Sequence, residues 1–164
     1  FRKENQTKTI QYIDLEKYHS KKKPSLESIK ELYERNKNVF FTELKSIRYA
    51  EIKPELISGS KEYNENFFTQ LDIIENNVLD GQSFEETVNA NNLKILEFNK
   101  INAKKENQAK NQVENLPDNL FKKIFNIKIP QSPEIINLDG KYYLAEIKDK
   151  EKKNRPMNLS LIHI

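Results

Sequence analysis

His19 and His163 are the only imidazoles in this chain, and cysteine is absent. There is therefore no thiolate nucleophile, no disulfide framework and no thiolate metal site. Neither histidine sits near a nucleophile-elbow pattern, which leaves serine-type acyl transfer without an evident base. The three glycines, at 59, 81 and 140, are too dispersed to cradle a phosphate. No H-x-x-x-H or histidine–carboxylate cluster offers zinc a ligand set, and no metal or other cofactor is expected. The 25 acidic residues permit carboxylate pairs anywhere and so point to no particular one. What remains is a set of apolar and aromatic side chains near the C-terminal end: Leu116, Leu120, Ile124, Phe125, Tyr142 and Tyr143. Such residues bind chain segments; they do not break bonds. Leu120, Ile124 and Phe125 also have the spacing that ordinary helix packing demands, and core is the simpler reading of them.

The element that must position these residues is a helix followed by a hairpin. L-P-D-N-L-F-K-K-I-F reads as a short amphipathic helix, and P-Q-S-P leads from it into I-I-N-L-D-G-K-Y-Y-L-A-E-I. Asp139-Gly140 between two apolar runs is a strong two-residue turn signal, because both residues tolerate φ > 0. Tyr142 and Tyr143 then point to opposite faces of one strand.

Upstream, residues 7–15 (T-K-T-I-Q-Y-I-D-L) predict a strand. Lys21-Lys22-Lys23 reads as a solvated loop, and Ser25 as the N-cap of a helix with Leu26, Ile29, Leu32 and Tyr33 on its apolar stripe. Val39-Phe40-Phe41 reads as a buried turn, and residues 47–52 (I-R-Y-A-E-I) as a strand closed by Pro54. Residues 56–60 form a loop, with Ser60 capping the longest helix. Tyr63, Phe67, Leu71, Ile74 and Val78 step at helical intervals, and Gly81 stops the run. Ser83-Phe84-Glu85-Glu86 is a capping box for a short helix over 84–90. Residues 93–98 predict a strand, 101–115 a polar, mobile connector, and 148–155 a charge run. Four strands packed with helices define an α+β fold.

At 164 residues, with nine Phe and seven Tyr, the chain can bury a real core although 32% of it is charged. The net charge of +3 comes from 28 basic and 25 acidic residues, read as interspersed, which gives no case for nucleic acid. No run reaches the roughly 18 apolar residues needed to cross a bilayer. Because the first residue is Phe1, a signal or anchor is expected upstream.

Taken in order, these segments resemble the SurA/PpiD-like periplasmic foldases, whose isomerase domain is of the parvulin type. P-S-L-E-S-I-K-E-L-Y-E-R-N-K-N-V-F followed by I-R-Y-A-E-I is similar to the lead-in helix and first strand of that family. L-D-I-I-E-N-N-V-L-D-G-Q-S-F-E-E-T-V-N-A-N-N is similar to its helix–Gly–Phe–helix segment, and residues 116–147 resemble its closing helix and hairpin. The similarity covers residues 24–148, and the membrane-anchored PpiD type fits best. It implies residues 1–44 as the end of an upstream chaperone region, 45–150 as a parvulin-like domain with about four strands, and 151–164 as a tail. It also implies an apolar groove lined by Leu116, Leu120, Phe125 and Tyr143. Clients would be unfolded or nascent proteins, bound through extended, aromatic-rich segments on the periplasmic side of the bacterial inner membrane. The only membrane contact would be through an anchor outside this chain. The chain departs from the family at its two histidines. Glu51 stands where R-x-x-H-I-L has its histidine, and Tyr142 or Tyr143 stands at the one in G-Y-H-I-I. The glycine-rich loop after the second helix is missing as well. Client holding without fast catalysis is the expected activity; an isomerase using Glu51 and a tyrosine, or a plain docking module, are the alternatives.

Overall fold

The computed structural model describes residues 9–14 and 24–157. The chain divides into two compact units, Phe1–Lys37 and Asn38–Ile164. In the first, residues 9–14 are exposed and irregular, not the expected strand; 7, 8 and 15 lie outside the described residues, as do His19, Lys21-Lys22-Lys23 and His163. An alternating pattern alone does not make a strand without another strand to pair with. Helix α1 (Leu26–Arg35) starts as expected, with Ser25 Oγ accepting from the Ser28 N–H at 3.2 Å. Of its stripe, Tyr33 is buried and Ile29 half-buried, while Leu26 and Leu32 are exposed.

The second unit runs β1 (Phe41–Ile52), α2 (Pro54–Ile57), α3 (Glu65–Leu79), α4 (Phe84–Ala90), β2 (Ile95–Ile101), α5 (Asp118–Phe125), β3 (Glu134–Leu138) and β4 (Lys141–Asn154). The four strands form one antiparallel sheet in the order β2-β1-β4-β3, so the α+β expectation holds at that level. Because successive strand residues alternate faces, the sheet builds two cores. On one face Ala50, Ile52 and Leu144 meet Phe67, Leu71 and Ile74 of α3 and Phe84 and Val88 of α4. On the other, Ile47, Tyr49, Tyr143, Ala145 and Ile147 meet Leu120, Phe121 and Ile124 of α5.

Local chemistry accounts for the boundaries. Helix α4 has its capping box: the Glu86 N–H donates to Ser83 Oγ at 3.3 Å and the Ser83 N–H donates to Glu86 Oε2 at 2.9 Å. Asp139 and Gly140 take φ of 52° and 79°, the two left-handed positions of a tight hairpin. Helix α3 begins four residues later than Ser60 would set it, because Asn64 Oδ1 accepts from the Phe67 N–H at 2.9 Å. The expected loop after Pro54 contains the short α2, with proline in its first turn. Leu93 is buried as a link before β2, so that strand starts and ends later than read.

Two corrections concern the edges of the unit. The compact unit begins at Asn38, ahead of 45, because β1 opens at Phe41; Val39 is exposed, so residues 39–41 are not the expected buried turn. At the other end the charge run is not a tail: β4 continues through it, pairing Lys150 with Lys45 and Asn154 with Phe41. The result is a two-stranded ribbon, residues 41–44 with 151–154, past the last backbone pair that β2 makes at Lys45. Where the ribbon joins the sheet, both neighbours of β1 bulge opposite Ser46 and Ile47. The buried Ser46 hydroxyl accepts from the Lys100 N–H at 3.3 Å and donates to Asp149 at 3.1 Å.

The connector after β2 is more ordered than its polarity suggests. Asn102 Oδ1 accepts from the N–H groups of Lys104 and Glu106, at 2.8 and 3.0 Å. Asn107 Oδ1 does the same for Ala109 and Asn111, at 2.9 and 3.0 Å. Lys105 and Lys110 sit at φ of 62° and 63°, so N-A-K-K-E and N-Q-A-K-N form the same turn twice.

A buried ion pair fastens the first core. Arg48 and Glu146 are cross-strand partners, with Nε to Oε1 at 2.6 Å and side chains 12% and 3% exposed. The same guanidinium reaches Glu85 of α4 at 2.8 Å and lies over the Phe84 ring at 4.6 Å. Burial works against its charge, but the hydrogen bonds to Glu85 and Glu146 outweigh that and raise the Arg48 pKa.

Candidate functional site

Strand register sets the two tyrosines on different faces of the sheet. Glu51 of β1 stands directly opposite Tyr143 of β4, whereas Tyr142 stands opposite Ile52. Directly opposed residues share a face. Tyr143 thus lies with Glu51 on the α5 side, and Tyr49, two residues before Glu51, joins them. The Tyr49 and Tyr143 rings meet edge to face at 6.0 Å, and Phe98 of β2 stacks on Tyr49 at 6.2 Å. Tyr142 belongs to the other core, where its ring is 5.6 Å from Phe67 and 6.1 Å from both Tyr63 and Phe68.

The floor so formed is a carboxylate between two phenols. Desolvation, and then the nearby Glu51 charge, raises the pKa of Tyr49 and of Tyr143. Both therefore remain neutral donors at physiological pH. The Tyr49 hydroxyl donates to the Asn115 carbonyl at 3.5 Å, and Glu51 is 4.0 Å from the ammonium groups of Lys53 and Lys141. Tyr49 and Tyr143 are 4% and 8% exposed and belong to the core, so of the three groups the Glu51 carboxylate is the one that reaches solvent. Neither an imidazole nor a thiol is among them. Tyr49 was missed in the sequence because it read as one more strand aromatic; its place two residues from Glu51 was the available signal.

The residues expected to wall a groove stand elsewhere in the packing. Leu116 and Leu120 are 2% and 0% exposed and fill the core under α5. Phe125 is half-buried, its ring tilted against Phe121 at 5.1 Å. The buried Lys45 ammonium lies 4.4 Å from the Phe125 ring and donates to its carbonyl at 2.7 Å. That carbonyl ends α5, where a cation satisfies an orphan acceptor and the negative end of the helix dipole. What opens to solvent here is a shallow cleft of about 520 Å³ lined by Lys105, Glu114, Asn115, Leu116, Pro117 and Asp118. Asn115 joins it to the Tyr49 hydroxyl, and a 2.6 Å ion pair between Lys105 and Asp118 crosses it.

Among the described residues no group of three or more His, Asp or Glu is placed to hold a metal, and no helix is long and apolar enough to cross a membrane. Comparison with protein-family models, with curated proteins and with solved structures gave no match.

Proposed function

We propose that the second unit is a degenerate parvulin-like domain that holds extended segments of unfolded proteins and has given up fast prolyl isomerisation. The strand, long helix, short helix, strand, helix and hairpin of this unit follow the order that the family resemblance implies. The observation that carries the reading is the cross-strand pair Glu51–Tyr143, with Tyr49 beside it, at the two positions where the family has histidines. Lowering a barrier of about 20 kcal/mol requires a site that grips the twisted amide more tightly than the planar one. Here Leu116 and Leu120 are committed to the core, so little apolar wall remains to clamp a proline ring. Glu51, whose side chain is 32% exposed, still offers a weak, reversible hydrogen-bond acceptor to a passing backbone, backed by the buried Tyr49 and Tyr143. Clients would be unfolded or nascent chains presenting aromatic-rich segments, met on the periplasmic side of the inner membrane, with an upstream anchor holding the domain there.

The test is light scattering during refolding of chemically denatured citrate synthase, with and without a molar excess of the protein. Suppressed scattering, weakened by Tyr143→Phe combined with Glu51→Gln, is the expected result. Unchanged scattering would remove the holding function and leave a docking module. Protease-coupled turnover of a proline tetrapeptide, abolished by the same double variant, would instead restore the isomerase reading.

A further inference from the structure

Charge is segregated by layer. From Glu62 through Leu93 the chain carries seven acids (Glu62, Glu65, Asp72, Glu75, Asp80, Glu85 and Glu86) and no Lys, Arg or His. All 28 basic residues therefore lie elsewhere, and the sequence-based reading of interspersed charge is corrected. This acidic stretch is the α3–α4 layer, on the sheet face opposite Tyr143. Of the seven acids only Glu85 has an ion-pair partner among the described residues.

An ordinary solvated helix sets lysines four residues from its acids. Helix α3 does not. Its core stripe is Phe67, Leu71 and Ile74; a second stripe, Glu65, Phe68, Asp72, Glu75 and Leu79, repeats at three- and four-residue steps and is exposed throughout. Phe68 is 41% exposed and Leu79 76%, so large apolar side chains stand in water between unpaired carboxylates along about 20 Å of helix. At its N-terminal end the stripe merges with aromatic packing: Phe68 lies 6.1 Å from Tyr142 and 5.3 Å from Phe67.

We infer that this face of α3 docks a cationic amphipathic helix of another polypeptide. Apolar residues on one side of that helix would cover Phe68 and Leu79, and flanking Lys or Arg would meet Glu65, Asp72 and Glu75. Charge complementarity selects the occupant: a neutral apolar helix would strand the carboxylates, and an anionic surface would be repelled. The surface is separate from the proposed holding site and does not depend on it.

The experiment is fluorescence anisotropy of the full 164-residue chain with a labelled 18-residue Leu/Lys amphipathic helix. A scrambled isomer and a Leu/Glu counterpart serve as comparison peptides. Saturable binding of the Leu/Lys helix is expected, roughly tenfold weaker for Asp72→Lys with Glu75→Lys and several-fold weaker for Phe68→Ser. Glu134→Lys, a single charge reversal at an exposed position of β3, should leave affinity within about twofold, against a several-fold loss for Asp72→Lys alone. Absence of binding, equal binding of the scrambled peptide, or equal weakening by Glu134→Lys would overturn the proposal. So would sedimentation showing a dimer that the Asp72/Glu75 variant dissolves, because the face would then be a self-interface. Circular dichroism and amide chemical-shift mapping keep the variants interpretable: perturbations must fall on residues 65–79.

Discussion

Arg48→Met is the most demanding test of how this fold is held together. The substitution keeps much of the side-chain volume but leaves Glu146, whose side chain is 3% exposed, without the guanidinium 2.6 Å away. An unpaired charge in such a place costs about 3–5 kcal/mol, a large part of the 5–15 kcal/mol that typically stabilises a domain. With a urea slope near 2 kcal/mol/M, the unfolding midpoint should fall by roughly 2 M. Arg48→Met with Glu146→Leu removes both charges and should recover most of the loss, since apolar replacement of a whole buried pair is close to neutral. Glu85→Gln removes only the partner that is 67% exposed and should cost less than about 1 kcal/mol. Urea melts of the parent, Arg48→Met, Glu146→Leu and their double variant, followed at 222 nm, complete the cycle, with Glu85→Gln measured beside them. A loss below about 1 kcal/mol for Arg48→Met, or single losses that simply add in the double variant, would refute the view that the pair acts as one buried unit.

Three further outcomes are expected. Gly140→Ala should destabilise the hairpin by about 1–2 kcal/mol, because φ is 79° while a Cβ there meets nothing within 4 Å; a matching drop in thermal midpoint checks it. Ser83→Ala should cost about 1 kcal/mol by removing the α4 cap, seen as a lower urea midpoint with an unchanged slope. Alkaline difference spectra at 295 nm should show Tyr49, Tyr63 and Tyr143 ionising above the usual phenol range, in each case mainly because burial opposes the phenolate. Since the folded state favours the protonated phenols, their contribution to stability is intact below about pH 10 and is withdrawn as pH rises through the raised values.

The sequence was most informative where one residue type has one structural use. Asp139-Gly140 and Ser83…Glu86 specify their turn and cap locally, and both stand where the pattern put them. Ser60 and Asn64 are both chemically able to cap α3, and only packing of Phe67 into the core decides between them. The ribbon of β1 and β4 was illegible because its β4 half is exposed on both faces and carries no apolar alternation; Lys150 through Asn154 looks like solvated chain until Phe41 through Lys45 is set beside it. The candidate floor failed to emerge for a related reason. A one-residue slip exchanges Tyr142 and Tyr143 between faces, and nothing local fixes that register. Leu120 shows the converse, since its helical spacing served core and groove alike until burial was known.

The ribbon also dictates how this unit would respond to force. Phe41 stands opposite Asn154, and the Arg155 N–H donates to the Phe40 carbonyl at 2.9 Å, so the start of β1 and the end of β4 lie side by side. Tension applied through those two ends pulls perpendicular to the strands, loading one cross-strand pair after another as in a zipper. Rupture would then travel pair by pair and stall where β2 comes in, at the 2.8 Å ion pair from Lys100 to Glu151, at Lys45 opposite both Ile101 and Lys150, and at the Ser46 hydroxyl tied to Lys100 and Asp149.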